Sequence, residues 1–86
     1  MPEISRFYGI VIRMFFADHN PPHFHATYGD SEARIGIHSL AAFAGNLPPR
    51  AMGLVVEWAA IHRKDLLDAW QRAQNHEPPG KVEPLP

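Results

Sequence analysis

The residues of this sequence best suited to chemistry lie in one short segment, in which Asp18 and His19 are followed by His23 and His25. The ordinary pKa of imidazole is about 6.5, so histidine can bind a metal ion or exchange a proton near neutral pH. Residues 20–22 are Asn-Pro-Pro, and the two prolines restrict the backbone between the histidines. A stiff turn lowers the entropy cost of holding ligands or catalytic groups in place.

One interpretation of this segment is a metal site. The spacing His-x3-His-x-His, with Asp18 adjacent, supplies enough nitrogen and oxygen donors for a three-histidine or a two-histidine–carboxylate site. The predicted ligands are Asp18, His19, His23 and His25, and the ion would be zinc or another divalent transition metal. The chain has no cysteine, so thiolate ligands are excluded.

A second interpretation needs no cofactor and is acid–base catalysis on a phosphodiester, a ribonuclease-like activity. His23 and His25 would remove and return the proton, and Arg13 or Arg34 would stabilise charge on the phosphoryl oxygens. A third interpretation is purely structural, because imidazoles beside a turn often cap free backbone groups. The sequence leaves these three alternatives open.

The segments around this site are typical of β-strands. Residues 7–16, 23–28 and 32–37 predict three strands, and residues 40–44 form a candidate fourth. Alternate side chains of a strand point to opposite faces of the sheet, so parity predicts which residues are buried. The predicted buried face consists of Tyr8, Ile10, Ile12, Met14, Phe16, Phe24, Ala26, Tyr28, Ala33, Ile35 and Ile37.

The opposite face of the predicted sheet collects basic groups. Parity places the candidate catalytic residues Arg13, His23 and His25 on this face. Thr27, Arg34 and His38 share it and are the candidate binding residues. The apolar residues Phe7, Val11 and Phe15 have the parity of Arg13, and an apolar fringe around basic groups suits a ligand groove or a partner surface.

The second half of the chain predicts helix. Residues 46–49, Asn-Leu-Pro-Pro, resemble a helix start, and apolar residues recur at helical spacing between Arg50 and Gln74. This stretch predicts one long helix or two, with a break near Lys64-Asp65. Residues 77–86 contain four prolines and predict an extended, loosely held tail. We therefore expect one α+β domain over residues 1–76, in which a C-terminal helix or helix pair covers one face of a small antiparallel sheet of three or four strands.

The length, net charge and hydropathy of the chain exclude several classes of protein. The chain has 86 residues and a net charge of −1. It therefore lacks the strong positive charge that is typical of nucleic-acid-binding proteins. It has no apolar run near the ~20 residues of a membrane span, and its N-terminal segment lacks the pattern of a signal peptide. A cytoplasmic location with no membrane partner is the resulting expectation.

Several motifs together resemble one family. They are Met1–Ser5, Asp18–Ala26, Gly45–Pro48, Glu57-Trp58 and Trp70. The sequence resembles the bacterial domain-of-unknown-function family 4160 over essentially its whole length, most specifically in its Pro-Pro-His-x-His segment. The resemblance implies that His23 and His25 match the family motif and that Arg13 occupies a position where a basic residue is common. The chain departs from the family pattern at Ala41, Ala42 and Ala44, where more polar residues are expected.

The resemblance also carries a functional expectation. Members of that family are often encoded beside a second small protein, an arrangement similar to toxin–antitoxin pairs. The resemblance implies that this protein is a component of a toxin–antitoxin-like module. Its face of histidine and arginine residues would then engage RNA or a small cognate protein. The alternative is a metal-binding or protein-binding accessory domain without catalysis. A homodimer is compatible with either expectation.

Overall fold

The computed structural model describes residues 2–86 and confirms the α+β class. All five strands form one antiparallel sheet, in which each strand pairs with the next in the chain, so the strand count exceeds the expected three or four. Two helices follow the sheet. The elements are β1 (Glu3–Phe7), β2 (Ile10–Arg13), β3 (His23–Tyr28), β4 (Ser31–Gly36), β5 (Ala42–Gly45), α1 (Pro49–Ile61) and α2 (Arg63–Gln74).

The first predicted strand is in fact a hairpin. Tyr8 and Gly9 have φ angles of 50° and 81°, which suit a two-residue turn whose central residues both need positive φ. This turn reverses the parity before it, so Phe7 lies in the core while Tyr8 is 60% exposed. Phe16 follows the end of β2 and is also exposed. The predicted burial of Tyr8 and Phe16, and the predicted placement of Phe7 on the face of Arg13, are therefore wrong.

Parity is correct for most of the sheet. The helices cover one face, and the residues predicted for that face are fully or almost fully buried, apart from Tyr8, Phe16 and the exposed Tyr28. Trp58 of α1 is completely buried and contacts the rings of Phe7 and Phe24 at centroid distances of 5.2 and 5.6 Å. The helical stretch divides at His62, slightly before the predicted break.

The last ten residues pack against the domain, so the expectation of a loosely held tail is wrong. Val82 and Leu85 are buried, and the Val82 backbone N–H donates to the Ile4 carbonyl at 2.7 Å. The Trp58 indole N–H donates to the Glu83 carbonyl, also at 2.7 Å. The tail thus covers the outer edge of β1. Across the described residues, neither helix has the length and hydropathy needed to span a membrane.

Candidate functional site

Three of the predicted ligands converge at one end of the sheet. His23 and His25 lie on β3, and Asp18 reaches them from the loop between β2 and β3. The Oδ2 atom of Asp18 is 3.0 Å from Nε2 of His23 and 3.1 Å from Nε2 of His25. Both histidines are only 4% exposed, whereas the Asp18 side chain is 19% exposed. Solvent therefore reaches this cluster from the Asp18 side.

The loop that carries Asp18 is anchored to the second helix. The Ala17 backbone N–H donates to the Ala73 carbonyl at 3.1 Å, and the Gln74 side-chain amide donates to the Asp18 carbonyl at 2.9 Å. At the other end of the loop, the Ile37 N–H donates to the Pro22 carbonyl at 2.9 Å. These bonds fix both ends of the turn, so Asp18 is positioned by tertiary structure as well as by the two prolines.

A hydrogen bond from His23 to the backbone fixes which ring nitrogen carries the proton and which one faces the Asp18 carboxylate. Nδ1 of His23 lies 2.7 Å from the Pro21 carbonyl oxygen. A carbonyl only accepts hydrogen bonds, so Nδ1 must carry the proton and donate. In the neutral ring Nε2 then has a free lone pair, and that lone pair meets the carboxylate of Asp18. Two acceptors at 3.0 Å repel each other unless a proton or a metal ion lies between them.

His25 also contacts Asp18 through Nε2, but its other ring nitrogen has no hydrogen-bond partner. This second nitrogen, Nδ1, is buried. The nearest acidic oxygen is Oε2 of Glu32, 3.6 Å away on the adjacent strand β4. Sequence reasoning missed Glu32, and the only signal for it was the strand alternation that places Glu32 on this face.

Aromatic side chains enclose the two imidazoles. The Phe15 ring lies 4.1 Å from the His25 ring, centroid to centroid. Phe43 of β5 and Trp70 of α2 contact His23 at 5.2 and 5.3 Å. These contacts restrict both rings and keep water from their inner sides. Phe43 and Trp70 were not predicted at the site, since both come from distant parts of the chain.

The environment of Asp18 favours its charged form. Partial burial acts to raise the pKa of the carboxyl group, but hydrogen bonds from His25 and from the His19 backbone N–H lower it. The net effect holds the pKa of Asp18 below its ordinary value. The cluster therefore places one carboxylate oxygen between two imidazole nitrogens.

The candidate catalytic arginine and a candidate binding arginine flank this cluster. Arg13 of β2 pairs with His25 of β3, and His25 pairs with Arg34 of β4. The three residues form a row across neighbouring strands on the face away from the core, as parity predicts. We call this set the Arg13–His25–Arg34 row. Thr27 lies two residues further along β3 and is half-buried.

Two other predicted residues lie apart from the cluster. His19 is exposed, and its ring is not among the converging ligand atoms, although its backbone N–H bonds to Asp18 at 2.8 Å. His38 is exposed in the turn that follows β4. The cluster thus contains Asp18, His23 and His25, whose ligand atoms all lie within 4.8 Å of one another.

The fold and the site define a small α+β domain with a two-histidine–one-carboxylate cluster on a sheet face. The chain belongs to the family described as Domain of unknown function (DUF4160), whose sequence profile matches residues 9–71. That region contains the cluster, the Arg13–His25–Arg34 row and Trp70. Neither a search of curated proteins nor a search of solved structures gave a match.

Proposed function

We propose that this protein binds one divalent transition-metal ion through Asp18, His23 and His25. The observation that carries the proposal is the pair of contacts on His23. Its Nδ1–H is committed to a backbone carbonyl and its Nε2 faces a carboxylate. Metal-ligating histidines commonly donate their other ring N–H to a carbonyl or carboxylate, which fixes the tautomer and orients the ligating nitrogen.

The two carboxylate–imidazole distances in the cluster suit such an ion. Two ligands that are each about 2.1 Å from a metal lie about 3.0 Å apart at a right angle and about 3.4 Å apart in a tetrahedron. The two oxygen–nitrogen distances of 3.0 and 3.1 Å fall close to the first value. Imidazole and carboxylate donors suit zinc, nickel, cobalt and iron(II).

A bound ion would also resolve the open bond of His25. With the metal on Nε2, the proton of the neutral ring moves to Nδ1, which faces Glu32 at 3.6 Å. A small movement of this exposed glutamate would complete a carboxylate–histidine–metal arrangement. Three protein ligands leave at least one coordination position for water or another ligand, and a bound ion polarises whatever occupies it.

The direct test is a titration of the metal-free protein with Co²⁺, followed by its visible absorption. We expect one ion per chain, and we expect His23→Ala to abolish the signal. His38→Ala is the matched control, because His38 is exposed and outside the cluster. An imidazolium–carboxylate cluster that excludes metal is the competing explanation. It would give no Co²⁺ signal with wild-type protein, and that result would reject the proposal.

The Arg13–His25–Arg34 row favours a second candidate function. In it the protein is the cytoplasmic component of a bacterial toxin–antitoxin-like module, and its basic face engages RNA or a small cognate protein. His23 and His25 would exchange protons with an RNA phosphodiester, a role that typically contributes about 10²–10⁴-fold to a rate.

A growth assay tests this second candidate. Expression of the chain without its genetic neighbour should slow growth, and His25→Ala should relieve the effect with folding intact. If the wild-type chain does not slow growth, or if the variant is as harmful as the wild type, the histidines have no such role.

A further inference from the structure

Two arginines lie beside the cluster on the same face of the sheet. Arg13 and Arg34 each occupy a position directly opposite His25 on a neighbouring strand. The Cβ atoms of such pairs are about 5 Å apart, and an arginine side chain is long enough to extend its guanidinium over that distance. Both groups can therefore extend toward a ligand beside His25 on this face of the sheet, next to the Phe15 ring that packs against the imidazole.

The structure already uses other arginines to bind protein oxygens, but it does not use these two. Arg6 is paired with Glu3, Arg63 donates to the Ile37 carbonyl and Arg72 donates to the Pro79 carbonyl. Within residues 2–86, neither Arg13 nor Arg34 has a side-chain hydrogen bond or an ion-pair partner. Arg34 is exposed and Arg13 is half-buried. Two guanidinium groups on one row, neither of them bonded to a protein oxygen, offer hydrogen-bond donors to an anion.

The charges of the face indicate the charge of the anion. With a divalent ion bound, the metal and the two arginines bring about four positive charges, and Asp18 and Glu32 bring about two negative ones. Glu3 lies opposite Arg13 on β1, but its charge is already balanced by its ion pair with Arg6. A ligand with two negative charges and several oxygens would neutralise the two positive charges that remain. A phosphate monoester has this charge at neutral pH, since its second pKa is about 6. A phosphodiester or a carboxylate has only one.

We infer that the metal site binds a dianionic phosphate monoester, with one phosphoryl oxygen on the metal and others on Arg13 and Arg34. This inference rests on the proposed metal site. The tetrahedral phosphoryl group can present oxygens in three directions at once, toward the ion and toward the strands on either side of β3. Guanidinium groups bind phosphate through two parallel hydrogen bonds, which adds geometric selectivity.

The experiment uses the Co²⁺-loaded full chain at pH 7.5 and two probes, methyl phosphate and dimethyl phosphate. Methyl phosphate should change the visible spectrum of the bound Co²⁺ and bind at least tenfold more tightly than dimethyl phosphate. Arg34→Ala should weaken methyl phosphate binding by roughly tenfold or more, as expected for the loss of a charged hydrogen-bond donor. Arg13→Ala should do the same while both variants retain the Co²⁺ affinity of the wild type.

The control variant is Arg50→Ala, because Arg50 is an exposed arginine beside Tyr28 at the opposite end of β3. It should bind methyl phosphate as the wild type does. Arg34 is exposed, so its variant keeps the test valid even if Arg13→Ala fails to fold. Equal binding of both probes, or wild-type binding of methyl phosphate by Arg34→Ala, would overturn the inference and leave the metal site standing. Failure of the wild type to bind Co²⁺ would reject both.

Discussion

Replacement of Asp18 by asparagine gives a quantitative test of the proposed metal site, because it keeps the side-chain shape and removes the charge. An ion at a hundred times its dissociation constant should stabilise the wild-type fold by about 2.7 kcal/mol. In a domain of 86 residues, each kcal/mol corresponds to about 4–8 °C in Tm. Saturating zinc should therefore raise the Tm of the wild-type protein by about 10–20 °C.

The variant should lose most of this rise. Asp18 supplies the one carboxylate of the cluster, and its Oδ2 lies 3.0 and 3.1 Å from Nε2 of His23 and Nε2 of His25. Loss of an outer partner of a metal site already weakens binding by about 10–100-fold, so loss of the carboxylate itself should cost at least a hundredfold. At the same zinc concentration the ion would stabilise the variant by about 0.4 kcal/mol, a rise of about 2–3 °C in Tm.

Thermal unfolding followed by circular dichroism, with and without zinc, measures both rises. His19→Asn is the matched control, because this neighbouring histidine is exposed and its ring lies outside the cluster. The control should keep the full rise. A full rise in Asp18→Asn would show that zinc binds elsewhere, and the absence of a rise in the wild type would refute the reasoning altogether.

Five further predictions concern the stability of the fold and the affinity and pH dependence of the site. Trp58→Ala should reduce the free energy of unfolding by about 3–5 kcal/mol in urea titrations, because Trp58 is completely buried. Gly45→Ala should destabilise by about 1–3 kcal/mol, since φ is 69° and an added Cβ would collide with the Glu32 carbonyl; a more stable variant would contradict this. Gly53→Ala on α1 should instead stabilise by about 0.5–1 kcal/mol, as nothing lies near its Cβ. Glu32→Gln should weaken Co²⁺ binding by about tenfold if Glu32 supports His25, and unchanged affinity would exclude that role. In the metal-free protein, the pKa of Asp18 is lower in the folded state than in the unfolded state. The carboxylate therefore stabilises the fold above its unfolded-state pKa, and this stability is lost as the pH falls through its folded-state pKa. Asp18→Asn should flatten the acid limb of a pH–stability curve.

Strand parity predicted most of the core because each strand keeps one face against the helices. It failed where a turn interrupted the alternation. Phe7, Tyr8 and Ile10 continue the pattern of a strand, and Gly9 was the one local signal of a hairpin. A tyrosine at positive φ is uncommon, so residue preferences argued against the turn that the structure contains.

The site was predictable where it depended on sequence neighbours and unpredictable where it depended on packing. Asp18, His23 and His25 lie in one short segment, so the motif identified them. The choice of Asp18 over His19 depends on the direction of the loop, which α2 fixes through Gln74. Phe43 contacts His23 only because β5 folds back beside β4, a contact that local patterns do not encode.

The packed tail has a consequence for how copies of this protein can associate. Residues 81–86 cover the outer edge of β1, where Val82 bonds to Ile4 and Lys81 donates to the Glu3 carbonyl. The other edge, β5, is mostly exposed and carries Phe43. Strand pairing between copies is thus confined to one edge of the sheet. If two copies pair through this edge, neither has a second free edge for a third copy. The sheet can therefore form a symmetric dimer but cannot extend into an open fibre.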